Sequence, residues 1–152
     1  MKKIITLLTI TSFVSLGNIT FSQTKEDYHK ALTVQHTKIK ENTQTIISGA
    51  SKTKEEHIKH ASEAMKHLES AKKEYENLKK LIPRDHTEVA MPYLTAIETY
   101  HIQAAYHANA LNEELKKTSH NEAMVIEHAK NLHESIDKAE KEHQALKEKT
   151  KK

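Results

Sequence analysis

Apolar residues recur along this chain in alternating steps of three and four, the spacing that gathers them on one face of an α-helix. The clearest run is Leu94, Ile97, His101, Ala104, Ala108, Leu111 and Leu115. A first segment keeps the same step with Tyr28, Leu32, Gln35, Ile39, Asn42 and Ile46. A second does so with His57, Ala61, Ala64, Leu68, Ala71, Tyr75, Leu78 and Ile82. The last carries Val125, Ala129, Leu132, Ile136, Ala139, His143 and Leu146.

The breaks between these runs have local causes. Gly49, between Ser48 and Ser51, is a natural helix stop. Thr53 with Glu56 forms a capping-box pattern that opens the second helix, and Pro83 ends it. The third is opened by Asp85 or Thr87, and Pro92, which has no N–H to donate, leaves its first turn kinked or separate. Ser119 with Glu122 reads as a second capping box. The spacing predicts helices at about 24–48, 53–82, 87–117 and 120–148, with the lysine-rich tail 147–152 fraying. Connections this short between amphipathic helices predict an all-α, antiparallel up-down-up-down four-helix bundle, one domain over 23–152. In that arrangement His101 shares a layer with Leu32, Ala71 and Ala139. His143 shares the next with Tyr28, Tyr75 and Ile97, and bonds to one of the two tyrosines if it is only a packing residue.

The first residues do not fit the bundle. Lys2 and Lys3 precede an apolar run from Ile4 to Leu16, followed by small residues at Thr20 and Ser22, the pattern of a secretory signal peptide over 1–22. The run is shorter than the roughly 20 apolar residues of a membrane-spanning helix. The protein is therefore expected to be exported, periplasmic or secreted, with no membrane association once the signal is removed. Losing residues 1–22 removes two lysines and no acid, so the remaining chain has 22 basic and 21 acidic side chains. Interleaved charge of this kind excludes nucleic acid as a partner, because phosphate binding needs a clustered basic excess. The absence of cysteine excludes thiolate metal sites, thiol catalysis and disulfides. A single glycine beyond the signal excludes phosphate-cradling and dinucleotide loops. Ser119-His120 sits in a turn with no acid partner for nucleophilic catalysis.

What remains is histidine, twelve residues of it, all beyond residue 22. Imidazole without cysteine favours Zn, Cu, Ni or Fe. The sharpest pattern is Glu98-x-x-His101 with Glu140-x-x-His143. Residues three apart share a helix face, and antiparallel register sets Glu98 level with His143 and His101 level with Glu140. The spacing resembles the Glu-x-x-His motif of ferritin-like di-iron proteins over these four residues alone. At the same levels the first two helices offer Tyr28, Leu32, His36, Ala71 and Tyr75 rather than bridging glutamates. A second cluster is His57, His60, His67 and His107, with His60 and His67 facing Tyr100 and His107. His29 and His36 repeat the seven-residue spacing beside the first helix's apolar face.

These features point to a divalent transition metal bound through histidine and glutamate by a buffer, carrier or sensor, and not to an enzyme. An oxidase site on Glu98, His101, Glu140 and His143 is a lesser expectation. The rival from another class is a structural or chaperone-like helical module that binds a protein partner or a second copy of itself.

Overall fold

The computed structural model describes residues 23–151, and the signal-peptide reading of residues 1–22 lies outside them. The regular structure among the described residues is entirely helical. Helix α1 spans Lys25–Ile47, α2 Lys54–Lys80, α3 Thr87–Lys116 and α4 Glu122–Lys149, with one 3-10 turn at Arg84–His86 leading into α3. No helix among them is long and apolar enough to cross a membrane.

Three of the four α-helix starts carry a side-chain cap, and α3, which follows the 3-10 turn, has none. Thr24 and Thr53 both complete capping boxes, with Asp27 and Glu56 returning to the cap backbone. The fourth helix differs from the expectation. Its cap is Asn121, whose side-chain oxygen accepts from the N–H groups of Ala123 and Met124, so Ser119 does not cap it and Glu122 is free of the box. The N–H of Asn121 in turn donates to the Glu114 carboxylate at 2.7 Å. Gly49 adopts φ +69°, the left-handed geometry that ends α1, and its N–H donates to the Ile46 carbonyl. Helix α3 runs from Thr87 straight through Pro92. Pro92 is the sixth residue of the helix, so its missing N–H removes one intrahelical bond, to the Glu88 carbonyl, without ending the helix. The C-terminal tail is tied down further than its composition suggests: Thr150 is fully buried and its carbonyl accepts from Lys25.

Helix α1 packs against α2 and α4, and α3 packs against the same two. The faces named above for α3 and α4 are buried throughout, and that of α2 up to Leu78. Large side chains meet small ones inside, Leu32, Ile39, Leu132 and Ile136 against Ala64, Ala71, Ala104 and Ala108.

Helix α1 is rotated from its expected face. The residues it buries are His29, Leu32, His36, Ile39, Thr43 and Ile46. Tyr28, Gln35 and Asn42 lie instead on its half-buried flank. Leu32, Ile39 and Ile46 serve either face, because both alternatives keep the three-and-four step. The flank then finds its own partners: Gln35 takes His67 at 2.8 Å and Asn42 takes His60 at 2.9 Å. The rotation carries two imidazoles into the core.

Candidate metal centre

Where α2 begins beside the start of α4, His57, His120 and Glu122 bring one donor atom each to within 4.8 Å of the others, a group that can hold a metal ion. The capping box at Thr53 sets the first turn of α2 and so the position of His57, which is 3% exposed. Its Nε2 lies 3.1 Å from the Ser51 carbonyl. A carbonyl can only accept, so Nε2 carries the proton and Nδ1 keeps its lone pair. That nitrogen has no hydrogen-bond partner among the described residues and lies 3.6 Å from the Glu122 carboxylate. Fixing one imidazole nitrogen on a backbone carbonyl and aiming the other is how metal-binding histidines are held. His120 approaches the same carboxylate oxygen at 3.4 Å from the loop before α4. Glu122 is the first residue of α4, held there by the Asn121 cap. It is more than half exposed, so the group opens to solvent on that side.

A second histidine group lies inside the bundle. His29, His36, His101 and His143 are 0–2% exposed. Their rings form a chain: His29 stacks on His143 at 4.9 Å, His143 meets His36 at 6.1 Å, His36 meets His101 at 5.2 Å, and Tyr75 stands 5.7 Å beyond. Two short contacts join them, His29 Nδ1 to His143 Nε2 at 2.7 Å and His36 Nε2 to His101 Nε2 at 2.8 Å. Each contact takes one nitrogen from each ring. The other nitrogens, His29 Nε2, His36 Nδ1, His101 Nδ1 and His143 Nδ1, are buried without a partner among the described residues. A buried polar atom left unpaired costs about 1–3 kcal/mol.

These imidazoles are held neutral. Burial pushes His101 down to about 4, helped by Lys72, and His29 to about 4, helped by Lys147. Burial beside His29 and Lys147 takes His143 to about 3. His36 falls well below the usual range through burial, then through His101, His143 and Lys40. Tyr75 does not bond to His143, because its hydroxyl donates to the Leu94 carbonyl at 2.8 Å. Burial pushes its pKa up.

Of the residues expected to share a site, His101 and His143 are core neighbours, and His36 meets both. Glu98 is exposed and faces Lys79 at 3.5 Å. Glu140 pairs with Lys40, which also holds Asp137 at 3.0 Å. Neither carboxylate comes within ion-pair distance of an imidazole among the described residues. In the second cluster, His57 joins His120 and Glu122. His60 and His67 bond to α1, rather than turning to Tyr100 and His107 on α3. His107 lies instead beside His128 of α4, with ring centroids 6.2 Å apart; burial, then His128, lowers its pKa.

The participants that sequence reasoning did not assemble are His29, His36, His120 and Glu122. A signal existed for the last two: Glu122 stands one turn before Val125 on the fourth helix, beside the connection that carries His120, but the Ser119-x-x-Glu122 pattern has a reading without metal. No family model, curated protein or solved structure matches this chain.

Proposed function

We propose that this chain is an exported helical-bundle protein that binds a divalent transition metal ion through histidine and glutamate, as a buffer, carrier or sensor and not as an enzyme. The observation that carries the reading is the convergence of His57 Nδ1, His120 Nε2 and the Glu122 carboxylate within 4.8 Å. Two imidazoles and one carboxylate suit Zn, with Ni and Cu as competitors. The carboxylate offsets part of the ion's charge. Three protein ligands leave a position for water or for an incoming ligand. With Glu122 exposed, the ion can exchange with solution, which a carrier or buffer needs and a purely structural zinc does not.

The bundle is read as antiparallel, up-down-up-down. Its support is contacts that run in opposite directions along α1 and α4: Lys25 with Thr150, His29 with His143, and Thr43 with His133. Export rests on Lys2, Lys3 and the apolar run to Leu16.

The test is equilibrium competition for Zn against a chromophoric chelator, with wild type, His120→Ala and Glu122→Gln. The reading expects one bound ion per chain, with at least tenfold weaker binding in His120→Ala and helix content unchanged. Equal binding by the variants, or none by wild type, removes it. The rival, a module that docks on a protein partner or on a second copy, is favoured by one observation. Ile102 and Tyr106, one turn apart on α3, are 61% and 68% exposed.

A further inference from the structure

The core histidine chain is the larger anomaly of this molecule, because packing does not call for it. Leucine would fill the same volume with no polar atom to satisfy. In each close pair one ring must donate and the other accept. A neutral imidazole has one N–H, so the accepting ring carries its proton on its other nitrogen. The donating ring then keeps a lone pair on its own second nitrogen. Each pair therefore buries an unpaired N–H and an unpaired lone pair, and this is the pattern of partnerless nitrogens at His29, His36, His101 and His143. An ion bound between the rings replaces the short contact by two metal–nitrogen bonds, and each ring then carries its proton on its second nitrogen, so the pair gains two bonds to the ion with no further partnerless nitrogen.

We propose that His29, His36, His101 and His143 form a second metal site, buried and all-imidazole, that takes monovalent copper. The nitrogens of each pair are 2.7 and 2.8 Å apart. Two imidazole nitrogens on one ion stand about 3.5 Å apart in trigonal geometry and about 4 Å apart in linear geometry, from bond lengths of roughly 2.0–2.1 Å. Opening a pair by roughly an ångström admits an ion. The charge of the ion is decided by what surrounds it. The nearby carboxylates Glu98 and Glu140 are engaged by Lys79 and Lys40, so the donor set is neutral. The cost of placing an ion in an apolar interior rises with the square of its charge, and a divalent ion without a compensating carboxylate is penalised about four times as heavily. Monovalent copper is the first-row ion that carries one charge and accepts two or three neutral nitrogen donors. The site differs from the exposed His57, His120 and Glu122 group in burial, donor charge and preferred ion, and does not depend on it.

The experiment is anaerobic competition for Cu(I) against a chromophoric Cu(I) chelator. It compares wild type, the double variant His36→Leu with His101→Leu, and His120→Ala, with helix content checked by circular dichroism. The expected result is retention of Cu(I) by wild type and by His120→Ala, and affinity at least a hundredfold weaker in the double variant. Ring nitrogen resonances of labelled wild-type protein give a second readout that needs no variant. Those of His29, His36, His101 and His143 shift on Cu(I) addition, while Zn moves those of His57 and His120. Failure of wild type to retain Cu(I), undiminished affinity in the folded double variant, or Cu(I) shifts confined to surface histidines would overturn the proposal. None of these outcomes bears on Zn at the exposed group, whose loss in His120→Ala is read separately.

Discussion

At the scale of single residues, the decisive choice is which of two neighbouring positions on α1 turns inward. Tyr28, Gln35 and Asn42 satisfy the three-and-four step as well as His29, His36 and Thr43 do. Hydrophobicity favours Tyr28 over His29 wrongly, hardly separates Gln35 from His36, and favours Thr43 over Asn42 correctly. What tips the balance is pairing at the flank, where Gln35 and Asn42 meet His67 and His60. No reading of one helix alone contains that information. The consequence is measurable as proton linkage. The core imidazoles stay neutral when folded, with His29 and His101 near 4 and His143 near 3 against an ordinary 6.5. Between those values the unfolded chain binds more protons than the folded one. Stability is therefore complete above about pH 6.5 and is lost as pH falls, at about 1.4 kcal/mol per pH unit for each imidazole. The cations Lys25, Lys40, Lys72 and Lys147 push the same way, and Glu26 opposes them at His29. The metal-free protein should unfold between about pH 4 and 6 by circular dichroism, given a total stability of roughly 5–15 kcal/mol. The double variant His36→Leu with His101→Leu removes both members of a pair and leaves no orphan from it. It should be at least as stable as wild type at pH 7 in urea and should unfold at lower pH. An unchanged acid midpoint would mean that these rings are not neutral in the fold.

At the scale of helices, much was legible because the signals are local. Gly49, Pro83 and the Thr53 capping box act within one turn of where they stand, and the apolar faces of α3 and α4 are buried as their spacing indicates. The start of α4 was misread for a physical reason. Ser119-x-x-Glu122 and Asn121 are competing caps, and the link between the Asn121 N–H and the buried Glu114, seven residues earlier, favours the second. That shift releases the Glu122 carboxylate toward His57 and His120. Asn121→Ala should therefore do two things: cost about 1 kcal/mol in urea unfolding through the lost cap, and weaken Zn binding severalfold by loosening Glu122. A loss of stability with Zn affinity unchanged would show that the cap does not position the ligand.

At the scale of the whole molecule, the described helices gather histidines into two groups that suit metal, the open one at one end and the closed chain inside. The helical class and the core faces of α2, α3 and α4 were readable from periodicity, and that of α1 was not. The sites were not, because each joins residues from different elements through contacts that spacing does not encode: His57 with His120 and Glu122, His29 with His143, His36 with His101. The account's central claim is that histidine here binds metal, and linkage gives its most direct measurement. A ligand that binds only the folded state at a hundred times its dissociation constant adds about 2.7 kcal/mol. The melting temperature of untagged wild-type protein at pH 7, with and without Zn, should rise by several degrees, and His120→Ala should lose that rise. A melting temperature indifferent to Zn, with Cu and Ni equally without effect, would contradict the account and return these histidines to packing and surface roles.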